Sequence, residues 1–129
     1  MKKYLFLILI GLANQGVAHD FGSQLGSDVS STDYLRISCD SLADKVHLEI
    51  SSSQLAGAPI VSAQIFKENK AKNISSQGLN SIDFQGGGGV YDVTVNKNKT
   101  GVAAYALVYH CEDANREHTE TGLDEIQNQ

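Results

Sequence analysis

Tryptophan is absent from this chain, proline occurs once (Pro59) and cysteine only twice. Glycine, serine and asparagine are plentiful instead, a balance that suits short strands joined by turns better than packed helices. Basic residues gather into no patch, which argues against nucleic acid and against anionic membrane surfaces as partners. After the first eighteen residues no apolar run approaches the roughly 20 residues needed to cross a bilayer. The two cysteines form no C-x-x-C and have no activating group beside them, which argues against redox or metal-binding thiols.

What is present begins at the start of the chain. Lys2 and Lys3 precede an apolar run from Tyr4 to Leu12 broken only by Gly11, and Gly16-Val17-Ala18 supplies a small-x-Ala cleavage pattern. Residues 1–18 therefore read as a signal peptide, and no cysteine follows the cleavage point to carry a lipid. The expectation is a periplasmic or secreted protein, free of the membrane once cleaved, whose mature chain starts at His19. The mature 111 residues suffice for one domain with a modest core. Charge is uneven: residues 19–111 hold nine acids and seven bases, whereas Glu112 to Gln129 holds six acids against Arg116 alone. That last stretch reads as a solvated, mobile acidic tail.

A period of two marks most of the body. Leu35, Ile37 and Cys39 share one face of a strand, Val46, Leu48 and Ile50 share one face of the next, and Ile60 to Phe66 is apolar on both faces. Residues 19–32 show no period and read as an extended lead-in. Lys67 to Lys72 reads as a charged turn or edge, Ile74 and Ser81–Phe84 as short strands, and Gly86 to Gly89 as a turn. Val90 to Val95 is the clearest strand, Asn96 to Gly101 reads as a hairpin turn, and Val102 to Cys111 as a last strand buried on both sides. Six to eight such strands predict an all-β antiparallel sandwich or small jelly roll over residues 33–111. In an oxidising compartment Cys39 and Cys111 are expected to form one disulfide, closing a loop of 72 residues. Both lie at the C-terminal ends of inward strand faces, so a bond between them requires strands running roughly parallel, or one cysteine past its ladder.

Gly89-Val90-Tyr91-Asp92-Val93-Thr94-Val95 followed by Ala104-Tyr105-Ala106-Leu107-Val108 resembles the closing hairpin of bacterial pre-peptidase C-terminal (PPC) domains. Asp33-Tyr34-Leu35-Arg36-Ile37 resembles their opening strand, although Ala63-Gln64-Ile65-Phe66 stands where that family carries an Asp-x-Asp-Leu strand. The resemblance implies a secreted β-sandwich that serves secretion or surface binding and performs no chemistry itself.

Catalytic patterns fail on spacing. The four glycines precede a strand and no Gly-Lys-Ser/Thr, so they hold no phosphate. Gly22 to Gly26 is not G-x-S-x-G, because its serine is one place early. One site pattern survives. Cleavage after Ala18 would give His19 both an α-amine and an imidazole, and with a second imidazole these make a histidine brace suited to copper. The second imidazole could come from His110, His118 or His47, and Asp20 or Glu117 could add an oxygen. The leading expectation is a non-enzymatic binding or accessory protein for an unknown protein or surface ligand, using an exposed patch with Tyr34, Phe66 and Tyr91 as contributors. A periplasmic copper-binding protein built on His19, His118 and His110 is the alternative, and an oxidative copper enzyme the third.

Overall fold

The computed structural model describes residues 19–129, so the predicted signal peptide lies outside the described residues. Nine strands and no helix make up the described chain. They are β1 (His19–Leu25), β2 (Asp33–Cys39), β3 (Lys45–Ser52), β4 (Val61–Lys67), β5 (Lys70–Ser75), β6 (Ser81–Gln85), β7 (Gly89–Lys97), β8 (Ala103–Glu112) and β9 (Thr121–Gln127). All pairings are antiparallel, in a four-stranded sheet ordered β1-β8-β3-β6 and a five-stranded sheet ordered β5-β4-β7-β2-β9. The predicted all-β sandwich with one disulfide is what the chain forms. Among the described residues no helix is long and apolar enough to cross a membrane.

Alternation builds the core. Leu35, Ile37, Val61, Ala63, Ile65, Tyr91, Val93 and Val95 point inward from the five-stranded sheet, and Val46, Leu48, Ile50, Tyr105, Leu107 and Tyr109 meet them from the other. Burying a side chain of this kind stabilises by about 1.5–3 kcal/mol before entropy is counted. Two links cross this core between β2 and β8. The Cys39–Cys111 disulfide joins one end of the pair, and the Tyr105 hydroxyl donates to the fully buried Asp33 carboxylate at the other. Both links span a separation of 72 residues, so β2 and β8 face each other in step and run in the same direction. Of the two arrangements the sequence left open, the parallel one is adopted, between sheets rather than within one. The disulfide fits an oxidising environment.

Four expectations are corrected. Residues 19–32 are not only a lead-in: β1 pairs with β8 from His19↔Tyr109 to Leu25↔Ala103. Its inward set is His19, Phe21, Ser23 and Leu25, half polar, which hides the alternation. Asn96–Gly101 is not a hairpin turn, because β7 and β8 lie in different sheets. Tyr91, Val93 and Val95 face the core from one side and Tyr105, Leu107 and Tyr109 from the other, so the connection arches over the sandwich edge. β8 is not buried on both sides, since Ala104 and Ala106 are exposed. The acidic stretch is not a free tail: β9 pairs with β2 along its length, and Gln129 donates its amide to Asp33 at 2.8 Å. Backbone bonds hold β9, and only Leu123 packs against the core, so its side chains carry almost no hydrophobic signal. Charged residues are usual on such an edge.

The Gly86–Gly89 turn is structural. Gly87 and Gly89 have positive φ, a Cβ at Gly88 would collide with the Asp40 carbonyl, and the Lys67 ammonium donates to the carbonyls of Gly86 and Gly88.

Two stability measurements follow from the cross-core links. In denaturant unfolding, Tyr105→Phe should cost about 1–3 kcal/mol, because it strips a donor from a buried carboxylate. Tyr109→Phe should cost less, since its hydroxyl makes no hydrogen bond among the described residues. Replacing both cysteines by serine should cost about 4 kcal/mol by the chain-entropy relation. Equal costs for the two tyrosine substitutions would mean that the Asp33 contact carries no weight.

Candidate metal centre

The outward side chains of the four-stranded sheet are polar where β6, β3 and β8 run side by side. Because Val46, Leu48 and Ile50 point inward, the pleat turns Lys45, His47 and Glu49 outward. On β8, Tyr109 and Cys111 point inward, so His110 and Glu112 turn outward. Register then lines up Asp83, His47 and His110 in one row across three strands, with Lys45 opposite Glu112 in the next.

His118 arrives from the connector between β8 and β9. The Asp113 carboxylate accepts from the amides of Asn115 (2.8 Å) and Glu117 (3.0 Å), Arg116 takes a positive φ, and the chain doubles back. A bridge between Glu112 and His118, together with a bond from the Thr119 amide to the Cys111 carbonyl (2.9 Å), fixes the return. The three imidazoles then stack. Ring centroids are 4.9 Å apart for His47 and His110 and 4.1 Å for His110 and His118, with planes within 27° and 26° of parallel.

The three rings differ in how they are satisfied. His47 places Nδ1 2.7 Å from Asp83 and Nε2 2.8 Å from Glu49. Two carboxylates on two ring nitrogens require both to be donors, which makes this ring an imidazolium. Burial works against that charge, but the hydrogen bonds to Glu49 and Asp83 outweigh it and raise the His47 pKa above 6.5. The same bond from His47 is the main reason Asp83 titrates below the usual carboxylate range.

His110 behaves oppositely. Burial, reinforced by His118 and His47, lowers its pKa despite a 2.7 Å hydrogen bond between its Nε2 and Glu112. It is therefore neutral, with Nε2–H donated to the carboxylate and a lone pair on Nδ1. That Nδ1, on a residue only 9% exposed, has no partner among the described residues, and neither does the buried Nδ1 of His118. A buried polar atom left unsatisfied costs about 1–3 kcal/mol.

Ligand atoms of His110, Glu112 and His118 lie within 4.8 Å of one another. Donors bound at about 2.0–2.2 Å around one tetrahedral ion lie roughly 3.3–3.6 Å apart, so the widest of these separations must close by about an ångström. The surroundings favour a cation. Three carboxylates (Glu49, Asp83, Glu112) face two positive groups, His47 and Lys45, whose ammonium lies 3.4 Å from both Asp83 and Glu112. Lys45 and His47 are thus committed to carboxylates, whereas His110 and His118 keep free nitrogens.

Of the residues nominated from sequence, the structure brings His110, His118 and His47 together. It does not bring His19 to them. His19 pairs with Tyr109 and stacks on its ring at 5.6 Å, on the inward side of the sheet, whereas His110 projects from the outward side. Asp20 pairs with Val108, one outward position along β8 from His110, and is not among the grouped ligand residues, and Glu117 occupies the connector turn. Of the three nominated aromatics, Tyr91 is wholly buried, whereas Tyr34, whose hydroxyl donates to Asp92 beside Arg36, and Phe66, which pairs with Asp92 across the ladder, are half-buried. Sequence reasoning missed Glu112, Lys45, Glu49 and Asp83. Their signal was the alternation Lys45-x-His47-x-Glu49 and His110-x-Glu112, polar residues at every second position of two strands.

The opposite shifts of His47 and His110 set an order of titration. In imidazole NMR of the metal-free protein, His47 should protonate above pH 6.5 and His110 below it as the pH falls. A raised pKa means His47 stabilises the fold below its unfolded value of 6.5, and this contribution is lost as pH rises through the folded pKa. The lowered pKa of His110 opposes it, costing stability as pH falls from 6.5 toward its folded value. The reverse order of midpoints would contradict the hydrogen bonding described. The chain matches no protein-family model, no curated protein and no solved structure, so its function rests on this geometry.

Proposed function

We propose that this is a small exported, non-enzymatic β-sandwich binding protein, and that its ligand is a divalent transition-metal ion held by His110, His118 and Glu112. The observation that carries the reading is that His110 and His118, each with a buried, partnerless Nδ1, are grouped with the Glu112 carboxylate on one sheet face. Two nitrogens and one oxygen suit zinc, copper or nickel, whereas calcium and magnesium prefer oxygen alone. Export is supported by the leader-like residues 1–18 and by the disulfide. The resemblance to PPC domains agrees with an accessory role.

Copper remains within this donor set, but the brace at His19 is the weaker version, since that residue sits across the sheet from the cluster. Isothermal titration of the mature protein with zinc and with copper separates the two. One-to-one binding is expected, weakened more than about tenfold by His110→Ala or by His118→Ala. A single extra residue before His19 should leave it unchanged. Absence of binding would refute the proposal, and loss of binding on extension would return the site to His19.

A further inference from the structure

The connector that delivers His118 is also the approach to β9, and β9 is weakly held by its side chains. His118 lies three residues before Thr121, where the strand begins. Between them, the Thr119 amide bonds to the Cys111 carbonyl and the Thr121 hydroxyl accepts from the Cys111 amide (2.9 Å). The first turn of the connector and the start of β9 are thereby tied to the same short piece of β8 that carries His110 and Glu112. Only Leu123 of β9 packs against the core, and Asp124, Glu125 and Ile126 are exposed. Elements with little buried surface and exposed backbone bonds open at lower cost than the global fold. The far end has its own anchor, through Gln129 to Asp33 and to the Gly26 amide. A register shift between Tyr34 and Leu35 separates that anchor from the first half of the strand.

We propose that metal bound at His110, Glu112 and His118 is the clasp of β9, so that ion binding and docking of Thr121–Glu125 on β2 form one linked equilibrium. This rests on the metal reading above. The ion takes two ligands from β8 in the four-stranded sheet and one from the segment leading into the five-stranded sheet. It can hold all three only while the connector is folded back. Whatever favours the folded connector must then favour the ion, and the ion must favour the docked strand by the same factor. The cluster thereby acquires a structural consequence: loss of the ion opens the outer pairing edge of β2 along Leu35–Cys39.

Hydrogen–deuterium exchange of the mature protein, with and without saturating zinc, reads the linkage directly. Zinc should slow exchange of Thr121–Glu125 at least about fivefold, the lower end of ordinary coupling. Exchange in β5, the opposite edge of the same sheet, should not change. Reciprocally, Leu123→Ser touches no ligand and should weaken zinc binding by a comparable factor. Zinc binding by calorimetry with unchanged exchange at β9, or with full affinity in Leu123→Ser, overturns the clasp and leaves the metal site standing. No zinc binding at all removes the metal reading itself, and the clasp with it.

Discussion

The fold hangs on one pair of strands that never hydrogen-bond to each other. β2 and β8 face across the core, tied at one end by Cys39–Cys111 and at the other by Tyr105 and Asp33, with the same separation of 72 residues at both. Each strand is internal to its sheet: β2 sits between β7 and β9, and β8 between β1 and β3. Fixing this pair fixes the stagger of the two sheets, and the remaining strands add to their edges. A domain of this size has a limited core, so a covalent link through its middle is a large share of its marginal stability.

The same constraint places the chemistry. Cys111 must point inward to reach Cys39, and the pleat then obliges His110 and Glu112 to point outward. Pairing of β3 with β8 sets His47 against His110 and Lys45 against Glu112, and pairing with β6 adds Asp83. Much of the cluster is therefore a consequence of register. The exception is His118, which owes its place to a turn organised by Asp113. His47 and Lys45 neutralise part of the carboxylate charge and are used up in doing so. His110 is left neutral, buried and short of a partner, a state that a metal ion would relieve.

The strands that bury alternate residues were legible in the sequence, and so was the disulfide, because hydrophobic period and cysteine placement both report on a core. Where pairing relies on backbone alone the signal vanished. β9 buries little beyond Leu123, and β1 turns two polar residues, His19 and Ser23, to its inward side. The connection between β7 and β8 resembled a hairpin because turn chemistry is local, while the choice between pairing in one sheet and arching between two depends on which faces share a core. His110, His118 and His47 could be named as candidates, but their grouping depends on register, which no single strand reveals. His19 failed for the same reason. It neighbours Tyr109 in the ladder and still projects from the opposite side to His110. The carboxylates and lysine around the imidazoles looked like ordinary surface charge until three strands set them side by side.

Crystals of the mature protein loaded with zinc, measured on both sides of the zinc absorption edge, would test the central claim most directly. The account requires one anomalous peak on the outer face of the four-stranded sheet, about 2.0–2.2 Å from a ring nitrogen of both His110 and His118. A peak at His19, or a zinc-saturated crystal with no peak near the imidazole stack, would contradict it.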